Sequence, residues 1–576
     1  MRIRLHFIQR AAALCLAVVL ALGATALAAG PSRTQARQED LDALYAGLKS
    51  VHPDLFANTP ESEFLAQKAE IEGRLETESD VAFALDLMRL TALVKDSHTS
   101  LGSTGSLMAQ MHFYPMMLSW RDGRWYLTAA PSADSALLGQ EVTALNGKTV
   151  AEAMDRFRAI LSADNPVKLR REFRQSCMAA DFYEYLGLAE AGDPLVLTLG
   201  GGKTLSLSPV SAQELDSLAY LGATITQTPA TAQTDEAYWS AFLDGSAQNG
   251  TYYIQYNTCR EDPELPMETF AAQVWSALDA KAPARVVLDL RNNGGGSDGV
   301  IWPLLRVLRE QMDLGSEVVC LIGETTFSSA IINAVELQEM GAVLVGDSTS
   351  GSVDHFGSVR SFQLPNSKFK VGVSSKYIDL GTLLDADAGR GVVPLEPDVS
   401  VPQTMADTLA GRDTAVEWLL AHPERLSQKA CPAAPLTRGR FLAQLYEALG
   451  QPNASWDDPP FQDLLGIEWY LHPISWACQT GIAKGTADGG FAAARPVTWQ
   501  EAAVFLTRAA NGWKLTPGTV RTTPLPGALA NGVWDRAALE QAWAWGLLPE
   551  DADFGKTPTR AQGDAMAAAL AAIAHR

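Results

Sequence analysis

Three short stretches hold residue types that can do chemistry together. Asp96-Ser97-His98-Thr99 offers an imidazole base. Asp289-Leu290-Arg291-Asn292-Asn293-Gly294-Gly295-Gly296 ends in a glycine turn whose amides can face a ligand, and Phe327-Ser328-Ser329-Ala330 offers small nucleophilic hydroxyls. A serine hydroxyl attacks only when a base takes its proton, and the oxyanion that forms needs fixed donors. The combination points to serine-based acyl transfer. Ser329 is the expected nucleophile, because it opens a helix where unsatisfied N–H groups and the helix dipole favour developing negative charge. Ser328 is the alternative, one register away. His98 is the expected base. The amide of Ala330 and one of Gly294 or Gly295 form the expected oxyanion hole, the glycines admitting positive φ. Arg291 reads as a brace for the glycine turn. Asp354 and His355, in a Gly-flanked loop, are candidates for substrate contact.

These groups need elements to place them. Leu41, Leu44, Tyr45 and Leu48, then Phe83, Leu87, Leu90 and Val94, recur at helical spacing, so Gln38 to Val94 reads as helices broken at His52-Pro53. His52 reads as a structural loop residue. From His112 to Val210 strands dominate, with Gly200-Gly201-Gly202 a hairpin turn between Leu195–Leu199 and Thr204–Leu207. From Thr251 to Val401 strands alternate with helices: Val286–Leu290, Val318–Ile322 and Val343–Gly346 are strands, and Val300–Leu308 and Ser328–Met340 helices. Repeated βα units predict a layered α/β core whose ligands gather at the carboxyl ends of its strands.

Thr437-Arg438-Gly439-Arg440, Thr498-Trp499-Gln500-Glu501 and Thr559-Arg560-Ala561-Gln562 stand 61 residues apart, each opening an Ala/Leu-rich helix. A fixed period predicts three helical repeats.

At 576 residues the chain exceeds one hydrophobic core, and its 47% apolar and 19% charged composition is that of a globular protein. A net charge of −21 offers no basic field to replace counterions, which argues against nucleic acid and anionic lipid as partners. Arg2, Arg4 and Arg10, the apolar run Ala11–Leu27 and the small residues Ala26-Leu27-Ala28 read as a secretory signal peptide cut near Ala28 or Ala29. No transmembrane anchor is expected after that cut. The scattered cysteines 177, 259, 320, 431 and 478 form neither a disulfide framework nor a metal set, and no metal or organic cofactor is implied. The expected division is a leader at 1–29, a helical region at 30–111 and a β-rich subdomain at 112–215, then a catalytic core at 216–425 and repeats at 430–576.

From Leu41 to Leu420 the sequence resembles the C-terminal processing (tail-specific) serine peptidases. The resemblance rests on Leu288–Gly296, on Ser329 with Val345-Gly346, and on Gly391-Val392-Val393-Pro394 with Pro397-Asp398-Val399. It implies a layered βα (ClpP/crotonase-like) core. Leu138 to Leu161 resembles part of a PDZ-like module. The processing peptidases carry a catalytic lysine where this chain has Gly351-Ser352-Val353-Asp354, whereas the tricorn-type branch uses Ser-His, matched here by Ser97-His98. The resemblance thus makes His98 the base and Ser97 its orienting neighbour. It puts an acidic partner near Asp385, Asp387 or Glu396, with Glu396 favoured, and implies a peptide or protein substrate. The C-terminal segment resembles a triplet of S-layer homology repeats. That implies a secondary cell-wall polysaccharide as partner, with Arg438 and Arg560 binding it and Trp499 departing from the usual arginine, and a location on a Gram-positive-type cell surface. Two rivals follow: a catalytically silent peptide- or wall-binding scaffold, and an acyl-CoA enzyme, against which secretion argues.

Overall fold

The computed structural model describes residues 31–102, 104–216, 223–224, 231, 235–243, 250–380, 391–428, 435–450, 452, 461, 463–464, 470–518, 520–525 and 535–574. The leader, Asp385, Asp387 and Cys431 lie outside them. Helix α1 (Arg33–Val51) is capped by Ser32, whose side chain accepts from the Gln35 amide, and buries Leu41, Leu44 and Leu48. It stops at His52 because a proline follows. Helices α2 (Glu61–Glu72) and α3 (Asp80–Leu93) complete the helical region, and strand β1 (Ser100–Gly102) follows the Ser-His motif.

Strands β2 (Met117–Arg121) and β3 (Arg124–Ala130) form a hairpin. Its turn residues Asp122 and Gly123 both have positive φ, as a two-residue turn matching strand twist requires. Strand β4 (Val142–Leu145), helix α4 (Val150–Phe157) and helix α5 (Pro166–Ser176) follow. The next strands are β5 (Leu195–Leu199) and β6 (Thr204–Leu207), joined by the expected glycine turn. One apolar core runs from Leu41 to Leu207 and takes in Leu364, Phe369, Val371 and Val373, so the helical and β-rich regions share it across the 111/112 division and part of 216–425 belongs to it as well.

The second core is built on a six-stranded sheet. In chain order its first strands are β7 (Tyr238–Phe242) and β8 (Thr251–Tyr256); helix α6 (Met267–Lys281), β9 (Arg285–Asp289) and helix α7 (Trp302–Asp313) come next. Strand β10 (Glu317–Ile322), helix α8 (Ser329–Met340) and β11 (Val343–Gly346) continue it. After an excursion through β12 (Arg360–Gln363) and β13 (Lys370–Val373), β14 (Val399–Ser400) closes the edge. The order is β7-β8-β9-β10-β11-β14, parallel except for β7. Every residue of β8 to β11 is buried, as a parallel sheet covered on both faces demands. Strand β13 pairs with β1, Ser100 opposite Gly372, which fastens the segment after His98 to the catalytic half.

The repeats are helices α9 (Arg438–Ala448), α10 (Leu471–Gln479), α11 (Trp499–Gly512), α12 (Arg536–Ala544) and α13 (Arg560–Ala574) around one core. The three threonine turns meet at its centre: the Leu436 amide donates to Pro558 O, and the Val497 amide to Leu436 O. Among the described residues no helix is long and apolar enough to cross a membrane.

Candidate active site

The site lies where β9 and β10 end. After β9, Gly295 has φ +96° and Gly296 φ +148°, and a Cβ on Gly295 would sit 2.7 Å from Ser328 Cβ. Only glycine fits there. Asn293 holds the turn: its Oδ1 accepts from the Gly295 amide at 2.9 Å, and its Nδ2 donates to Tyr256 O at 3.0 Å. Arg291 is the brace the sequence suggested. Its guanidinium pairs with Asp289 and with Asp413, whose carboxylate is held low, Arg291 and Thr231 outweighing the effect of burial.

The two serines occupy different environments. Ser329 is buried and its Oγ donates to Gly296 O at 2.9 Å. Ser328 is partly exposed and sits at φ +55°, ψ −129°, a conformation non-glycine residues adopt only when the surroundings impose it. The Ala330 and Ile331 amides donate to Phe327 O and Ser328 O, and the Gly295 amide to Asn293, so Ala330 and Gly295 are not free to hold an oxyanion. Among the described residues, neither the helix-opening amide of Ser329 nor the amide of the exposed Gly294 has a hydrogen-bond acceptor.

His98 reaches the same place from the other half of the molecule. Its ring stacks on Phe327, centroids 4.4 Å apart, and on His355 at 5.2 Å. Both its ring nitrogens are buried without a hydrogen-bond partner. Burial first, then the charges of His355 and Lys168, push its pKa down to about 3 against the pull of Asp96. His355 donates from Nδ1 toward Ser352 O and Val353 O at 3.0 and 3.2 Å, and its Nε2 is buried with no partner among the described residues.

Asp96 organises the loop beneath. It accepts from the His98 amide at 2.9 Å, from Thr99 Oγ1 and from Ser374 Oγ, each at 2.6 Å, and lies 3.4 Å from His52 Nε2. Burial alone would raise its pKa; the bonds from His52, Ser374 and Thr99 hold it below the usual carboxylate range. His52 is therefore a partner in this network. Ser97 Oγ accepts from the Asp164 amide at 3.2 Å and faces Asp164, not the His98 ring. Burial raises the Asp164 pKa despite hydrogen bonds from Ser97 and Ser352.

Glu396 is exposed and accepts from Ser348 Oγ at 2.6 Å, while the His98 nitrogens go unpartnered, so the structure does not bring this acid to the base. Asp354 accepts from the Leu380 and Gly391 amides and shapes its own loop. Sequence reasoning missed Asp164, Asn165 and Lys168, which come from the β-rich half. Asn165 Nδ2 donates to Ser350 O and Ser352 Oγ, both at 2.9 Å, and Lys168 Nζ lies 4.3 Å over the Phe327 ring. The Asn-Pro cap opening α5 was the one signal that could have flagged them.

In the repeats Arg438 is buried: Nε donates to Phe491 O, one terminal nitrogen to Lys484 O, and another pairs with Glu501 at 2.7 Å. Trp499 occupies the corresponding place one unit later, its Nε1 donating to Asp553 O and its ring against Phe554. The residue after each of these threonines thus ties one unit to the next. Arg560 is likewise buried.

No protein-family profile matches the sequence, and no curated protein matches it. Among solved structures the chain is similar to mature CPAF complexed with lactacystin, at 14% identity and TM-score 0.46, covering 67% of this chain and 98% of that one. It is also similar to the photosystem II D1 C-terminal processing protease, at 16% identity and TM-score 0.31, covering 64% and 93%. For the tricorn protease the values are 12% and 0.31, covering 67% and 36%.

Proposed function

We propose that the protein is a serine endopeptidase acting through an acyl-enzyme, with Ser328 the nucleophile and His98 the base. The observation that carries this is the placement of Ser328: a partly exposed serine on a strained helix-opening turn, close to two amides without a described acceptor and next to the residue on which His98 stacks. Ser328 Oγ would attack the scissile carbonyl while its proton passes to His98. The oxyanion would be held by the Ser329 and Gly294 amides, the amide following a nucleophile being the usual first donor. The amine would leave with the proton, and water would release the acyl group by the reverse path. Ser329 acts in this reading through its amide, its hydroxyl being committed to Gly296 O. A serine-reactive fluorophosphonate, followed by peptide mapping, tests it: label on the Ser328–Ser329 peptide supports the reading, and an unlabelled chain sinks it.

A second reading, a silent peptide- or wall-binding scaffold, draws on one observation: no hydrogen bond joins His98 to either serine. Absence of labelling with retained peptide binding would favour it.

The reading extends to location. The basic and apolar leader supports export, and the triplet of repeats supports attachment to a secondary cell-wall polysaccharide on a Gram-positive-type surface. With Arg438 engaged inside the repeat, the polymer would be held by the repeat surfaces. The mature chain should sediment with purified sacculi, and the chain ending at residue 428 should not. Equal behaviour of the two would remove this element.

A further inference from the structure

A cavity of about 400 Å³ lies at the carboxyl ends of β9, β10, β11 and β14, with the β2–β3 hairpin and α5 contributing to its wall. It is within the size range of small-molecule sites and occupies the crevice where such sheets bind ligands. Three of its six lining charges are committed elsewhere. Arg291 pairs with Asp289 and Asp413, Asp122 accepts from the Met405 amide at 2.8 Å, and Asp347 accepts from the Ser348 amide at 2.8 Å.

In the other three, Arg121 Nε, Arg174 Nε and Glu324 Oε1 are buried with no partner among the described residues, while a terminal nitrogen of Arg121 donates to Trp120 O at 2.7 Å. Arg174 Nε and Glu324 Oε2 stand 3.8 Å apart, too far for a good hydrogen bond. Burial and the nearby Arg174 disfavour the Arg121 charge more than Glu324, Asp347 and Asp122 favour it, so an anion between the two guanidiniums would relieve it. Unmatched donors beside an unmatched carboxylate oxygen call for one ligand carrying both charges a few ångströms apart. Trp120, Ile322 and Val401 give the cavity an apolar wall for a side chain.

We propose that this cavity binds a free α-amino acid with an apolar side chain, its carboxylate between Arg121 and Arg174 and its ammonium on Glu324. Neither Ser328 nor His98 lines the cavity and binding needs no catalysis, so the proposal stands or falls independently of the peptidase reading.

Isothermal titration of the intact chain with leucine tests it, alongside leucinamide, which lacks the carboxylate, and N-acetylleucine, which lacks the ammonium. Saturable binding of one leucine per chain is expected, with leucinamide unbound and N-acetylleucine weakened about tenfold or more. Arg121→Gln and Arg174→Gln should each weaken leucine by a similar factor. Glu324→Gln should weaken leucine and leave N-acetylleucine unchanged. No saturable leucine binding, or binding unmoved by both arginine variants, overturns the proposal; equal affinity for leucine and N-acetylleucine overturns the assignment of an amino acid. Because the ligand series is run on the unaltered chain, a variant that fails to fold does not blunt the test.

Discussion

The rings of His98 and Phe327 lie face to face, 4.4 Å between centroids and 23° from parallel. The residue ahead of the proposed nucleophile thereby clamps the proposed base. The stack holds the imidazole against the residue that precedes Ser328, but it also keeps it dry, and a dry imidazole with a pKa pushed down to about 3 is a weak base. Lys168, from α5, places its Nζ 4.3 Å from the centroid of the same Phe327 ring. Proton transfer at neutral pH therefore requires the Phe327–His98 stack to loosen and water or substrate to reach the imidazole.

The choice between neighbouring serines is settled by labelling. Ser328→Ala should abolish fluorophosphonate labelling and peptide hydrolysis. Ser329→Ala removes a hydroxyl that bonds only to Gly296 O, keeps its amide, and should retain most of the label. The reverse pattern would return the nucleophile to Ser329. Gly295→Ala should abolish labelling too, since its Cβ would meet Ser328 Cβ at 2.7 Å and its φ is +96°.

Burial of a neutral histidine has a signed consequence for stability. The His98 pKa falls from 6.5 to about 3 on folding, so the unfolded chain takes up a proton that the folded chain refuses. Stability from this residue is complete above pH 6.5 and lost as pH falls below it, by about 1.4 kcal/mol per unit. Between pH 7.5 and 5 the cost is about 2 kcal/mol. His98→Phe, which can keep the stack, should reduce the acid-induced loss in urea unfolding by that amount. Equal losses in variant and wild type would mean that the imidazole is solvated in the folded state.

Asp96 should matter for stability as much as for activity. Asp96→Ala strands the Thr99 and Ser374 hydroxyls, the His98 amide and His52, and should cost about 3 kcal/mol. Asp96→Asn, which keeps an acceptor, should cost distinctly less. If the alanine variant melts with the wild type, the network is not what holds the Ser-His loop.

What the sequence could and could not reveal follows from how far apart the partners lie. The strands Val286–Leu290, Val318–Ile322 and Val343–Gly346 were legible because unbroken apolar runs between glycine turns leave few alternatives, and they fall within a residue of β9, β10 and β11. The glycine turn and the Ser-Ser helix start were legible for the same local reason. Register at the helix start was not: Ser328 and Ser329 have the same chemistry, and only φ/ψ and the Gly296 carbonyl distinguish them. Ser97 reads as a neighbour of His98, but successive side chains diverge, and it turns to Asp164, 67 positions away. Contacts of that kind, like His98 with His355, leave no local pattern.

The repeats give the last prediction, because two units solve one problem with different residues. Arg438 crosses to the next unit by hydrogen bonds to Phe491 O and Lys484 O, an ion pair with Glu501, and a position 4.9 Å over the Phe491 ring. Trp499 crosses by one hydrogen bond, to Asp553 O, and by its ring against Phe554, 5.3 Å between centroids. Stacking against the aromatic residue is the shared element, and burial, not exposed charge, is what both provide. Arg438→Ala should therefore destabilise the repeats by about 2–3 kcal/mol, leaving a void over Phe491 and Glu501 without one partner. Arg438→Trp should recover part of that loss by restoring the stack. Differential scanning calorimetry of the whole chain would read both as shifts of the repeat transition, with fluorophosphonate labelling unchanged. If Arg438→Ala leaves that transition in place while wall sedimentation is lost, the guanidinium serves the polymer and not the fold.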